Sequence, residues 1–119
     1  PRQLRQRYWL SGDKSAWILE EIGKEEFITA GFVVQGGRMD RARVLVYRVS
    51  RGGEVRYPSF LRQLVGVALV GEQQLSARVD NIAGATLSVN AMSRMARLAL
   101  YFDSAARQSA KSAAGANAN

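Results

Sequence analysis

The stretch FITAGFVVQ (Phe27 to Gln35) is followed by Gly36-Gly37 and then by RARVLVYRVS (Arg41 to Ser50). Both runs are rich in β-branched and aromatic residues, and a glycine-containing loop between two such runs predicts an antiparallel hairpin. In the second run Arg43, Leu45, Tyr47 and Val49 alternate with Val44, Val46 and Arg48. Its middle is apolar on both faces, which predicts an inner strand with something packed on each side. Gly31, inside the first run, predicts a bulge or a close approach by another backbone.

Working outward toward the C-terminus, Arg51-Gly52-Gly53-Glu54 reads as a turn, and Val55 to Tyr57 as a brief pairing segment. Pro58 suits the first turn of a short helix, PSFLRQLVG, that ends at Gly66. Two apolar runs around Gly71-Glu72, within Val67 to Val79, predict short strands, and Asp80 to Ala85 is irregular. A longer helix is predicted from Leu87 to Phe102, where Met92, Met95, Ala96 and Ala99 repeat on one face, with Asn90, Arg94 and Arg97 away from it. The two methionines read as core filler rather than a ligand pair.

Toward the N-terminus, Lys14 to Gly23 predicts a helix with a mixed stripe of Trp17, Ile18, Glu21 and Ile22, stopped by Gly23. Residues 1–13 form an N-terminal arm whose Tyr8, Trp9 and Leu10 could dock on a neighbouring surface. Residues 104–119 lack large apolar side chains, which predicts a disordered or frayed tail, with alanines able to extend the preceding helix by a turn or two. The fold class is α+β: a small antiparallel sheet packed with an N-terminal helix and a long C-terminal helix, in one domain over 14–103.

A length of 119 residues with 47% hydrophobic content suits one globular domain. Absent cysteine removes disulfides, thiolate metal sites and iron–sulfur ligation, and absent histidine removes imidazole bases and Ser-His triads. A carrier or binding role is favoured over a self-contained enzyme. The net charge of +7 is concentrated at the ends, because Arg2, Arg5, Arg7, Arg107 and Lys111 have no acidic neighbours there. Removing those five from 17 bases leaves 12 against 10 acids, a surplus too small to argue for nucleic-acid binding. Within the core, Asp13 to Glu26 is acidic, whereas Arg38 to Arg62 holds seven bases and two acids. That second stretch is either a solvated strand face or a patch for an anionic partner. No run approaches the about 18 apolar residues of a membrane span. The chain begins with Pro1 rather than Met, which suits a processed or trimmed form; a leader or anchor, if there was one, is not seen in this sequence.

The stretch that carries chemistry is DNIAGATLS, Asp80 to Ser88, at the entrance to the last predicted helix. Asp80 and Asn81 can fold the chain onto nearby amides, Gly84 permits a conformation closed to other residues, and Ala85 keeps the spot uncrowded. Thr86 offers a hydroxyl where the first amides of a helix lack partners, a setting that stabilises an oxygen-rich anion. A plain capped helix, with Thr86 or Ser88 as the cap, accounts for the same residues, and spacing alone does not separate the two.

These residues resemble the D-x-x-[S/T]-G-A-T-x-[S/T] signature of the FMN-binding domain family. That family includes the flavin-carrying subunits of the sodium-pumping NADH:quinone reductase and of the Rnf electron-transport complex. Asp80, Gly84, Ala85, Thr86 and Ser88 match, while Ala83 stands where the family has a hydroxyl residue. GGEVRYPSFLRQLVG (Gly52 to Gly66) is similar to the turn and short helix that precede the motif, so the resemblance covers residues 30 to 102. The resemblance implies FMN joined covalently through a phosphoester to Thr86, attached by a flavin transferase that uses FAD. The amides from Gly84 to Ser88, Leu87 included, would hold the phosphate. Tyr47, Tyr57 or Phe60 could lie against the ring, and one of Arg43, Arg48, Arg51 and Arg56 could stabilise the reduced anionic flavin. The resemblance further implies an extracytoplasmic site, periplasmic or on the outer face of the inner membrane, with a membrane or periplasmic redox partner. The alternative is a non-enzymatic interaction or sensory module that binds flavin loosely or not at all.

Overall fold

The computed structural model describes residues 3–22, 27–49, 53–71 and 74–117, with side chains from 4 to 109 of these ranges. Four strands form one antiparallel sheet in sequential order: β1 (Gln3–Ser11), β2 (Lys14–Ile22), β3 (Phe27–Gln35) and β4 (Arg38–Arg48). The β3–β4 hairpin forms where predicted. Gly36 and Gly37 both have positive φ, 59° and 76°, as a two-residue type I′ turn requires. Beyond β4 come a 3₁₀ turn (Gly53–Arg56), the short helix α1 (Pro58–Leu61), a second 3₁₀ turn (Arg62–Leu64) and the small hairpin β5 (Leu69–Val70) and β6 (Gln74–Leu75). The chain closes with α2 (Thr86–Asn117).

One face of the sheet is the core. Cross-strand rows Tyr8–Trp17–Phe32–Ala42 and Gln6–Leu19–Ala30–Val44 lie on that face. Val89, Met92, Met95, Ala96, Ala99 and Leu100 of α2 are buried in the same cluster. Burial of side chains such as Leu19, Phe32 and Met92 contributes roughly 1.5–3 kcal/mol each. The predicted filler role of Met92 and Met95 matches their full burial.

Several local expectations are corrected. The helix predicted over Lys14 to Gly23 is strand β2, in which Ser15, Trp17, Leu19 and Glu21 are buried in strict alternation. Its period was hidden because two of the four buried positions are polar, and both are satisfied by α2. Ser15 Oγ donates to Asp103 Oδ1 at 2.6 Å and accepts the Trp17 indole N–H at 2.7 Å, while Arg94 reaches back to pair with Glu21. Of the residues read as an arm, Gln3–Ser11 form edge strand β1, with the Tyr8 ring stacked on Trp17 at 4.8 Å. The tail read as disordered or frayed continues α2 to Asn117, as its alanine content favours. Val55 to Tyr57 does not pair; Gly53–Arg56 is a 3₁₀ turn that buries Val55. The turn residues Arg51 and Gly52 and the helix stop Gly23 lie outside the described residues.

Strand β4 is an edge strand, not an inner one. The ladder with β3 shifts register between Val46 and Val44, leaving Leu45 as a bulge residue that is 47% exposed. The Leu45 side chain lies over Gly31, where an added Cβ would meet Cδ1 at 3.4 Å. Gly31 thus receives a side chain from the bulged partner rather than another backbone. Among the described residues, no helix is long and apolar enough to cross a membrane.

Candidate functional site

The Asp80-to-Ser88 stretch is a loop, a tight turn and the first turn of α2. The Ala85 N–H donates to the Ile82 carbonyl at 2.9 Å, closing a turn whose third residue, Gly84, has φ of +82°. Such a φ is costly to any residue bearing a Cβ. Open space lies above Gly84, so the conformation rather than crowding requires glycine there. The loop is tied down at its start, because the Asp80 backbone N–H donates to Gln63 Oε1 at 2.8 Å.

Helix α2 begins at Thr86, which makes Ala85 its N-cap, and the Val89 N–H donates to the Ala85 carbonyl at 2.9 Å. Neither Thr86 nor Ser88 caps the helix, as both sit inside it. Ser88 is buried and shares a 2.8 Å hydrogen bond with the Tyr47 hydroxyl, pinning the helix start to β4. Thr86 is exposed, and its Oγ1 accepts a hydrogen bond from Asn81 Nδ2 at 3.1 Å. An alanine at the N-cap has no side-chain oxygen to offer the amides of Thr86, Leu87 and Ser88. The first turn therefore presents donors and the positive end of a long helix dipole beside a hydroxyl.

The six residues singled out from the sequence come together on this turn with divided roles. Asp80, Gly84, Thr86 and Leu87 are exposed, Leu87 at 62%, whereas Ala85 and Ser88 are buried. Ser88 can offer an anion its amide, its hydroxyl being engaged by Tyr47.

The flanking candidates sort by position. Phe60 is buried in the core and leaves no ring face for a ligand, while Tyr57 is 55% exposed. Tyr47 is half-buried, and the Arg56 guanidinium carbon lies 5.4 Å from its ring centroid. Arg56 is thus joined to the α2 start through Tyr47 and Ser88. Arg48 instead stands over the Phe27 ring at 5.9 Å, Arg43 faces Gly31 across the sheet, and Arg51 is outside the described residues. Two contacts escaped the sequence reading, in which Asn81 bonds nearby backbone amides rather than the Thr86 side chain. Asn81 stands five positions before Thr86, a spacing that in retrospect suits a side-chain bond across a turn. Gln63 carried no signal, since its link to Asp80 spans 17 residues.

Among the described residues, no group of three acidic side chains could hold a metal ion. Comparison of the chain with family models, with curated proteins and with solved structures finds no match.

Proposed function

We propose that this chain is an electron-carrier domain bearing FMN through a phosphoester on Thr86 Oγ1, formed when a separate flavin transferase cleaves the pyrophosphate of FAD and AMP leaves. The reading rests on the resemblance of Asp80 to Ser88 to the flavinylation signature. One structural observation carries it furthest: Thr86 is solvent-exposed at the first turn of a helix whose N-cap is an alanine. A modifying enzyme can reach that hydroxyl, and a phosphate there would meet uncapped amides.

The residues fit the group in kind. Thr86 would tether it, the amides of Thr86, Leu87 and Ser88 would face its phosphate, and Arg56 would add positive charge nearby. The flavin supplies the redox chemistry when bound, and the protein supplies tethering, orientation and local field. Asn81 is the hydrogen-bond partner of the Thr86 hydroxyl, and an amide cannot take up its proton. The base must come from the transferase, which makes the chain a substrate for modification rather than a self-flavinylating enzyme. By the same resemblance, the domain works outside the cytoplasm with a membrane or periplasmic redox partner, where a covalent link prevents loss of the flavin.

The test is co-expression with a flavin transferase that labels a control substrate, followed by intact mass and in-gel fluorescence after denaturation. Label should survive denaturation in the wild-type chain and vanish in Thr86→Val. An unlabelled wild-type chain overturns the proposal. Flavin released on denaturation, at equal level in Thr86→Val, would instead favour the loosely binding interaction module.

A further inference from the structure

The sheet has a second face that α2 does not cover, whose rows carry Arg5, Arg7, Arg41 and Arg43 together with Glu20. Cross-strand rows Trp9–Ala16–Val33–Arg41 and Arg7–Ile18–Gly31–Arg43 alternate with the core rows and therefore point away from the helix. The centre of this face is aliphatic, from Ala16, Ile18, Gly31, Val33 and the bulged Leu45. Its margins are arginines. Together with the α1 region it forms a groove of about 720 Å³, with Trp9 at one margin and Arg41, Arg43, Arg56 and Arg62 lining it against a single acid, Asp40. Among the described residues, Arg41, Arg43 and Arg62 have no salt-bridge partner. Three unpaired guanidinium groups around an apolar floor are a surface complementary to carboxylates carried beside apolar side chains.

We infer that this groove docks an acidic segment of a partner protein, in which carboxylates meet Arg41, Arg43 and Arg62 and apolar side chains rest on Ile18, Val33 and Leu45. Other occupants fit less well. A second copy would set arginine against arginine. A single-stranded nucleic acid gains its affinity from several stacking aromatics, and the groove offers one exposed ring, Trp9, above an aliphatic floor. A bilayer presents a broad surface that does not enter a concave groove. Strand addition along the β4 edge is opposed by the bulge at Leu45 and the charged Asp40, Arg41 and Arg43, features that discourage edge pairing. The segment therefore lies across the face of the sheet. This inference does not depend on the flavin reading, and either can fail without the other.

The full chain is titrated with a short labelled peptide that alternates glutamate with leucine, followed by anisotropy and by tryptophan emission. Trp9 is 55% exposed and Trp17 is buried, so a change in emission on binding reports chiefly the groove margin. The expected result is saturable binding that weakens with added salt. It should fall about tenfold in the Arg41→Gln/Arg43→Gln double variant, whose fold is checked by circular dichroism. A glutamine-for-glutamate peptide should bind at least about tenfold more weakly. Equal binding of the two peptides, unchanged affinity in the double variant, or tighter binding of oligothymidylate or phosphatidylglycerol vesicles would overturn it.

Discussion

The two halves of α2 treat their polar groups in opposite ways. Toward the middle of the helix, Asp103 is buried and accepts hydrogen bonds from Ser15 Oγ at 2.6 Å and Arg107 Nε at 3.1 Å. Arg107 extends the cluster by donating from Nη1 to the Gly12 carbonyl at 2.7 Å. At the helix start, Thr86 and Leu87 are exposed and no side chain caps the first-turn amides, with Asn81 as the partner of the Thr86 hydroxyl. A buried polar cluster held by these bonds sets register and orientation, even with Arg107 Nη2 left without a hydrogen-bond partner among the described residues, whereas donors left uncapped at a helix start are open to a ligand. The contrast separates the part of the helix that builds the fold from the part that can serve a function.

The contrast is open to direct measurement. Asp103→Ala removes the acceptor at the centre of the buried cluster and strands the Ser15 hydroxyl and the Arg107 guanidinium. The expected loss is about 3 kcal/mol of unfolding free energy in a urea titration. A loss below about 1 kcal/mol would mean that the cluster is not a structural anchor. Gly84→Ala forces a side chain into positive φ and should cost about 1 kcal/mol by the same assay. It should also slow labelling by the transferase, because the turn that presents Thr86 shifts. Thr86→Val should change stability by less than about 0.5 kcal/mol while abolishing the label, which would place the hydroxyl wholly on the functional side. A large destabilisation from Thr86→Val would erase the distinction between the two halves.

What the sequence disclosed follows the same division. The β3–β4 hairpin was legible because Gly36-Gly37 and the flanking β-branched runs act locally. The α2 core face was legible because Met92, Met95, Ala96 and Ala99 keep a helical period. Strand β2 was not, because its buried face includes Ser15 and Glu21, whose partners lie 88 and 73 residues away. Polar residues at core positions mask an alternating pattern unless the distant partner is known. Edge strand β1 was missed for a related reason: α2 leaves Leu4, Tyr8 and Leu10 largely exposed, so the strand lacks a clear buried side. At the candidate site, the positive φ of Gly84 and the helix entrance beside it were legible in the sequence. The division of labour between Thr86 and Ser88 was hidden, since it depends on Tyr47 arriving from β4.

The alanine at position 85 has a consequence for anyone selecting heat-resistant forms of this chain. Ala85 is itself buried, so a serine or aspartate there would gain bonds to the first-turn amides but lose apolar packing and pay for burying a polar group. Such a screen would therefore find little to gain at this position, and the first turn of α2 would keep its amides without a side-chain cap.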